Sequence, residues 1–307
     1  MTVESAEAAL LDRFASDNEA EAVFILGAPR TGSTVLYQAV AHAFGLPFIS
    51  NLTNDFFATA PVVGVAISNG VNEPIGFESR YGKAPGLFQP SEGSAVMAHW
   101  FGGGHPSQSV SARILPGRES HLLRTLSAVH GLTAKPLLIK NAWNCFRIEN
   151  LARMLPAARF IWARRDIAAA AGSDLEARRT VQGSENVWNS ATPANIESLQ
   201  KLPPPLQVVE NQYEFNRAIA AGLSAFAAGR WCEVWYEDFA RASAQSLSMI
   251  AERLRLSQDA QRELPRIAPA RQAEDRSAGQ IAIATYVAKN RARMQDHIYR
   301  GNQDARR

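Results

Sequence analysis

Ala22-Val-Phe-Ile-Leu26, Gly27-Ala-Pro-Arg-Thr-Gly-Ser-Thr34 and the run on to Phe44 decide the fold. The first five residues are continuously apolar and end at a glycine, which reads as a strand buried on both faces. Residues 34–44 carry apolar positions at helical spacing and stop before Gly45, so they read as a helix. Between them lies a turn with glycines at positions 27 and 32. Strand, glycine turn and helix in that order build an anion cradle. The glycines let backbone N–H groups converge, and the helix N-terminus adds positive potential. The spacing is that of a P-loop, G-x-x-x-x-G-K-[ST], but Ser33 stands where the lysine belongs and Arg30 brings a cation inside the turn. That exchange argues against an ordinary nucleoside triphosphatase.

Further strands are expected at 136–140, 158–163 and 231–236, and helices at 4–17, 145–155, 167–179, 208–228, 242–256 and 280–299. Residues 181–206 look irregular, with Pro203-Pro-Pro205 reading as a stop. Residues 45–120, rich in Gly, Pro, Asn and Ser with interleaved aromatics, look like loops and short helices. Strands alternating with helices predict an α/β fold, a central parallel sheet flanked by helices. The 307 residues, 46% hydrophobic, exclude a disordered chain. The net charge of +3 is uneven: residues 253–307 hold twelve Lys or Arg against six Asp or Glu. No run of like charge points to nucleic acid. No stretch is long and apolar enough to span a membrane, and the N-terminus lacks a signal-peptide core, so the expectation is a cytoplasmic protein. Two cysteines, Cys145 and Cys232, make neither a disulfide framework nor a zinc site.

Phe24–Thr34 resembles the 5′-phosphosulfate loop of sulfotransferases, which use 3′-phosphoadenosine 5′-phosphosulfate (PAPS); bacterial and carbohydrate-type members carry G-x-P-R-[ST]-G-[ST]-[ST] there. Ala158–Asp166 followed by Ser173 resembles the family's 3′-phosphate site, in which a serine lies eight residues beyond an arginine. That spacing selects Arg165 rather than Arg164, and Ile167 replaces the family's proline. Leu138–Trp143 is similar to the strand that delivers an active-site lysine, here Lys140. Val234–Phe239 is similar to a "Y-E-D-L" block. The resemblance implies one sulfotransferase domain over 1–307: a phosphosulfate-loop unit at 21–44, an acceptor-binding insertion at 45–120, a nucleotide-binding core at 136–256 and an Arg-rich tail at 257–307. It implies PAPS as co-substrate, held by Gly27, Pro29, Arg30, Thr31, Gly32, Ser33, Thr34, Arg165 and Ser173, with Lys289, Arg291 and Arg293 as tail contacts. No metal is expected, because a sulfuryl group carries less charge than a terminal phosphoryl group.

In-line sulfuryl transfer needs charge stabilisation, assigned to Arg30 and Lys140, and a general base for a hydroxyl acceptor. Aryl and steroid members place a histidine two residues after the lysine; here that residue is Ala142. The base candidates are Glu78, Glu92, His99 and His105, with Glu92 in Gln89-Pro-Ser-Glu-Gly93 favoured over the histidines. Glu92 reads equally as a carboxylate facing the start of a helix at 94–100. Glu237 and Asp238 read as capping or pairing groups. The expected partner is a small polar metabolite or glycoside, met by Asn51, Asn54, Asp55, Tyr81 and Lys83, and the expected assembly is a monomer or homodimer. Two other functions fit less of the pattern: a P-loop kinase or NTPase, and a catalytically inactive nucleotide-binding protein of the same fold.

Overall fold

A computed structural model describes residues 2–16, 20–71, 73–78, 84–103, 113–189, 191–257 and 277–301. Four strands, β1 (Ala22–Leu26), β2 (Leu137–Lys140), β3 (Arg159–Arg164) and β4 (Trp231–Trp235), form one parallel sheet in the order β2-β1-β3-β4. All five residues of β1 are buried, as its unbroken apolar run requires of a central strand. Successive side chains face opposite layers. Phe24, Leu26, Phe160 and Trp162 meet Trp100, Phe101, Trp143 and Phe215 on one face, where the Phe24 and Phe160 rings stack 5.5 Å apart. Val23, Ile25, Ile161 and Cys232 meet helices Ser33–Phe44 and Ser243–Leu254 on the other.

The strand order positions the site. The chain leaves β1 to build β2 on one side, then crosses back to build β3 on the other. The carboxyl end of β1 is therefore a topological switch point, where open α/β sheets form their ligand crevice. Gly27–Gly32 occupies that point.

Residues 45–120 contain helices Asn51–Phe56, Pro61–Val71 and Ser94–Phe101 among loops, as expected of short elements. Pro47–Ser50 runs beside β2, where Leu138 N donates to Pro47 O (2.8 Å). Helix Glu119–Thr133 lies outside every predicted element, although Leu122, Leu126 and Val129 form a buried stripe at helical spacing. Pro203-Pro-Pro205 is not a stop. Pro204 opens helix Pro204–Phe226, since the first helical position has no intrahelical use for an N–H. The single tail helix expected at 280–299 is Ala278–Lys289, then Arg291–Met294, then a 3-10 turn, with the break at Asn290. Ile283 and Val287 of the tail bury against Ala171, Leu175, Val208 and Val209. Among the described residues, no helix is long and apolar enough to cross a membrane.

Candidate active site

The turn after β1 is shaped by three residues. A Cβ on Gly27 would lie 2.8 Å from Thr31 Oγ1 and 3.0 Å from Ala163 O, so the turn packs directly on β3. Arg30 (φ 67°) and Gly32 (φ 79°) both adopt the left-handed conformation, around Thr31, whose hydroxyl donates to Ala28 O (2.8 Å). Left-handed backbone at a non-glycine such as Arg30 is a strained state that surrounding contacts must hold. Those contacts exist: Arg165 Nη1 donates to Arg30 O (3.1 Å), and Gln212 Nε2 donates to Pro29 O (2.7 Å). Gly32 caps helix Ser33–Phe44 with no side-chain hydrogen bond, so its first N–H groups stay available to an anion.

One wall comes from the β2 side. Lys140, the last residue of β2, is buried; its Nζ donates to Thr34 Oγ1 (3.3 Å) and pairs with Glu92 Oε1. Asn141 Nδ2 donates to Glu92 O (3.1 Å), which ties the 89–93 loop to the end of the strand. Two residues remote in sequence, Lys140 and Glu92, thus meet at the first turn of the loop's helix. Glu92 precedes Gly93, the left-handed cap of helix Ser94–Phe101, but its carboxylate is turned to the lysine.

The other wall comes from the β3 side. Arg165 lies over the Tyr236 ring (4.9 Å), and Arg30 Nε donates to Ser173 Oγ (3.2 Å). The Arg30, Arg165 and Ser173 side chains therefore gather at one edge of the turn. Arg164 points elsewhere. It is sandwiched between Trp162 (4.3 Å) and Trp235 (4.2 Å), bonds Glu233 Oε2 (2.7 Å) and donates to Asp296 O in the tail. Helix Ile167–Gln182 is capped by Asp166, whose Oδ1 accepts from Ala168 N (3.0 Å) and Ala169 N (3.1 Å). Glu237 Oε1 accepts from Asp166 N (3.0 Å), and burial raises the Glu237 carboxyl above its ordinary range. Asp238 Oδ1 accepts from Tyr299 OH (2.7 Å). The acidic pair thus stabilises the junction between sheet, helix and tail.

Tyr236 is a residue that sequence reasoning misses. A Cβ on Gly32 would collide with its Cδ2. The ring seals the turn and carries the Arg165 guanidinium, and the only signal was its place in the 234–239 block. Cys145 is a second such residue: Gly27 N donates to its Sγ (3.3 Å), and burial pushes the thiol up to about 12.

The remaining candidates make other contacts. His99 contacts Arg118 (3.3 Å) and the ring of His121 (5.2 Å), and burial with the Arg118 charge lowers its pKa. Glu78 is exposed. Lys289 and Arg291 are exposed on the tail, and Arg293 pairs with Glu210 (3.0 Å). Tyr81, Lys83 and His105 lie outside the described residues. Among the described residues, no group of three or more His, Cys, Asp or Glu is placed to hold a metal ion.

A family model described as "Sulfotransferase family" matches residues 22–260, which contain both walls and the turn. Among solved structures, sulfotransferase STF9 from Mycobacterium avium aligns with a TM-score of 0.51 at 16% identity, over 94% of this chain and 72% of that one. Sulfotransferase STF1 from Mycobacterium tuberculosis H37Rv aligns with a TM-score of 0.51 at 13% identity, over 96% of this chain and 81% of that one. At such identities the likeness speaks to the fold. A search of curated proteins found no match. The match across most of the chain, with the turn at its switch point, shows that this chain belongs to the sulfotransferase family.

Proposed function

We propose that the protein transfers a sulfuryl group from PAPS to a hydroxyl or amine of a small polar acceptor. The observation that carries this reading is the junction of Lys140, Thr34 and Glu92 at the start of the loop's helix, opposite Arg30, Arg165 and Ser173. One wall supplies a buried cation and a carboxylate together; the other supplies two guanidinium groups and a hydroxyl for a second anionic centre.

On this reading the acceptor oxygen attacks sulfur in line while the bond to the nucleotide's 5′-phosphate breaks. The loop N–H groups, Arg30, Ser33, Thr34 and Lys140 stabilise charge gathering on the bridging and equatorial oxygens. Glu92 takes the acceptor's proton and, as a carboxylate on Lys140, is already beside the helix start. Arg165 and Ser173 bind the 3′-phosphate through charge-assisted hydrogen bonds. Segment 45–120 supplies acceptor contacts around Glu92.

Calorimetric titration of the protein with 3′-phosphoadenosine 5′-phosphate (PAP) and with ATP–Mg²⁺ tests the donor assignment. Tight binding of the bisphosphate and weak binding of ATP is expected. Tighter binding of ATP–Mg²⁺ would overturn the reading in favour of a phosphoryl-transfer enzyme.

A further inference from the structure

A backbone turn cradles an anion only when its carbonyls face away and its N–H groups face in. In the Gly27–Gly32 turn four successive carbonyls are each taken by a side chain. Cys145 Sγ donates to Gly27 O (3.5 Å), Thr31 Oγ1 to Ala28 O (2.8 Å), Gln212 Nε2 to Pro29 O (2.7 Å) and Arg165 Nη1 to Arg30 O (3.1 Å). A peptide unit is planar and trans, so its N–H points opposite its C=O. The bond to Pro29 O therefore sets the direction of the Arg30 N–H, and the bond to Arg30 O sets that of the Thr31 N–H. The bond to Ala28 O aims no donor, because the residue that follows is a proline.

Gln212 differs from the other three holders. Thr31 belongs to the turn, the Cys145 thiol is a weak donor, and Arg165 is already assigned to the 3′-phosphate. Gln212 comes from within helix Pro204–Phe226 and is 0% exposed. Val208, Val209 and Phe215 of the same helix are buried in two core clusters, so the helix is a fixed mount. The amide fits in one sense alone, since the reverse would set Oε1 against Pro29 O, two acceptors together. In that sense Oε1 has no hydrogen-bond partner among the described residues. An unbonded buried acceptor costs stability, and a side chain needed only for packing would carry none. The amide is a burden to the fold and an asset to the turn.

The peptide it holds is the strained one. Rotating the Pro29–Arg30 peptide changes φ of Arg30, which stands at 67°. A non-glycine residue keeps such a value only under surrounding contacts. With Pro29 O released, the peptide can turn toward an ordinary φ and carry the Arg30 N–H out of the cradle.

We propose that Gln212 is a positioning residue for the 5′-phosphate of the donor, aiming the Arg30 N–H at that group by holding Pro29 O from behind. The donor's identity rests on the sulfotransferase reading.

The test is calorimetric titration of the parent, Gln212→Met and Gln212→Leu with PAP and with adenosine 3′-phosphate, which lacks the 5′-phosphate. A turn that keeps its binding conformation only part of the time loses apparent affinity by that fraction. PAP should bind at least fivefold more weakly to both variants, and adenosine 3′-phosphate should change by less than twofold. The melting temperature should stay within about 3 °C of the parent's, since each variant loses an unbonded oxygen along with one hydrogen bond. Equal weakening of both ligands, the mark of a residue that only supports the fold, overturns the proposal. An unchanged PAP affinity in both variants overturns it as well. Should the parent bind PAP no more tightly than adenosine 3′-phosphate, the turn is not a 5′-phosphate site, and the sulfotransferase reading fails instead.

Discussion

The Lys140–Glu92 pair is unequally buried, and this inequality predicts an asymmetry. The lysine side chain is 7% exposed and the glutamate side chain 40%. Glu92→Ala strands an ammonium in a nearly dry position, and breaking a buried pair in this way costs about 3–5 kcal/mol. Lys140→Met leaves a carboxylate that water can reach and replaces the buried ammonium by an apolar group of similar length. That change should cost no more than about 1 kcal/mol. At roughly 2 °C per kcal/mol for a domain of this size, Glu92→Ala should melt about 6–10 °C below the parent, and Lys140→Met within about 2 °C of it. Activity should not follow this order. Loss of one preorganised donor costs about 10²–10³ in kcat and loss of a general base about 10²–10⁴, so both variants should fall at least a hundredfold. Differential scanning calorimetry and PAPS turnover measure the two quantities. Equal destabilisation by both changes would refute the burial argument. A folded Lys140→Met with activity near the parent's would refute the role of Lys140.

Three further outcomes are expected. Gly32→Ala forces an alanine to φ 79° and into the Tyr236 ring. The left-handed conformation alone costs about 1–2 kcal/mol, so PAP affinity and melting temperature should both fall; an unchanged PAP affinity would count against the loop as the anion site. Arg165→Ala removes a charge-assisted contact of about 1.5–3 kcal/mol, so PAP should bind at least about tenfold more weakly, while adenosine 5′-phosphosulfate, which lacks the 3′-phosphate, should lose less, only what the freed Arg30 carbonyl costs the turn. Equal losses for both ligands would place Arg165 away from the 3′-phosphate. His297, beside Arg164, is lowered to about 4 by burial and by the Arg164 charge. A lowered imidazole contributes stability fully above pH 6.5 and loses it as pH falls toward 4, here about 3 kcal/mol. Chemical denaturation of His297→Gln should therefore show a flatter decline between pH 6.5 and 4 than the parent, and an identical decline would contradict the assignment. His121, also at about 4, keeps part of the acid sensitivity in the variant.

The elements nearest the site were the most legible. Ala22–Leu26, Gly27, Gly32 and the helix to Phe44 obey local rules: a buried central strand must be apolar, and a tight turn onto a neighbouring strand must lack Cβ atoms. The strands at 136–140 and 158–163 are similarly apolar, and the one at 231–236 was legible from its alternation, which the structure repeats in its burial. The misplaced elements have different causes. Helix Glu119–Thr133 mixes its stripe with Ser, Thr, His and Gly, which masks the period beside a glycine-rich segment. The helix at Pro204 begins where proline signals a break in most other positions. Within the site, Arg30, Lys140, Arg165 and Ser173 could be named because each stands in a short block that resembles a sulfotransferase motif, at the end of a strand or in the helix after it. That Glu92 rests on Lys140, 48 residues away, is tertiary information that a single chain does not spell out. Tyr236 is of the same kind: it matters through the Gly32 backbone that packs against it.

The central claim is that the turn and its two walls move a sulfuryl group. Incubating the protein with ³⁵S-labelled PAPS and a pool of small polar metabolites, with mass spectrometry of every labelled product, tests it most directly. The expected product is heavier than a pool component by one SO₃, forms together with an equal amount of PAP, and disappears with Arg30→Ala. Release of free sulfate without a sulfated product, or a transfer rate untouched by Arg30→Ala, would contradict it.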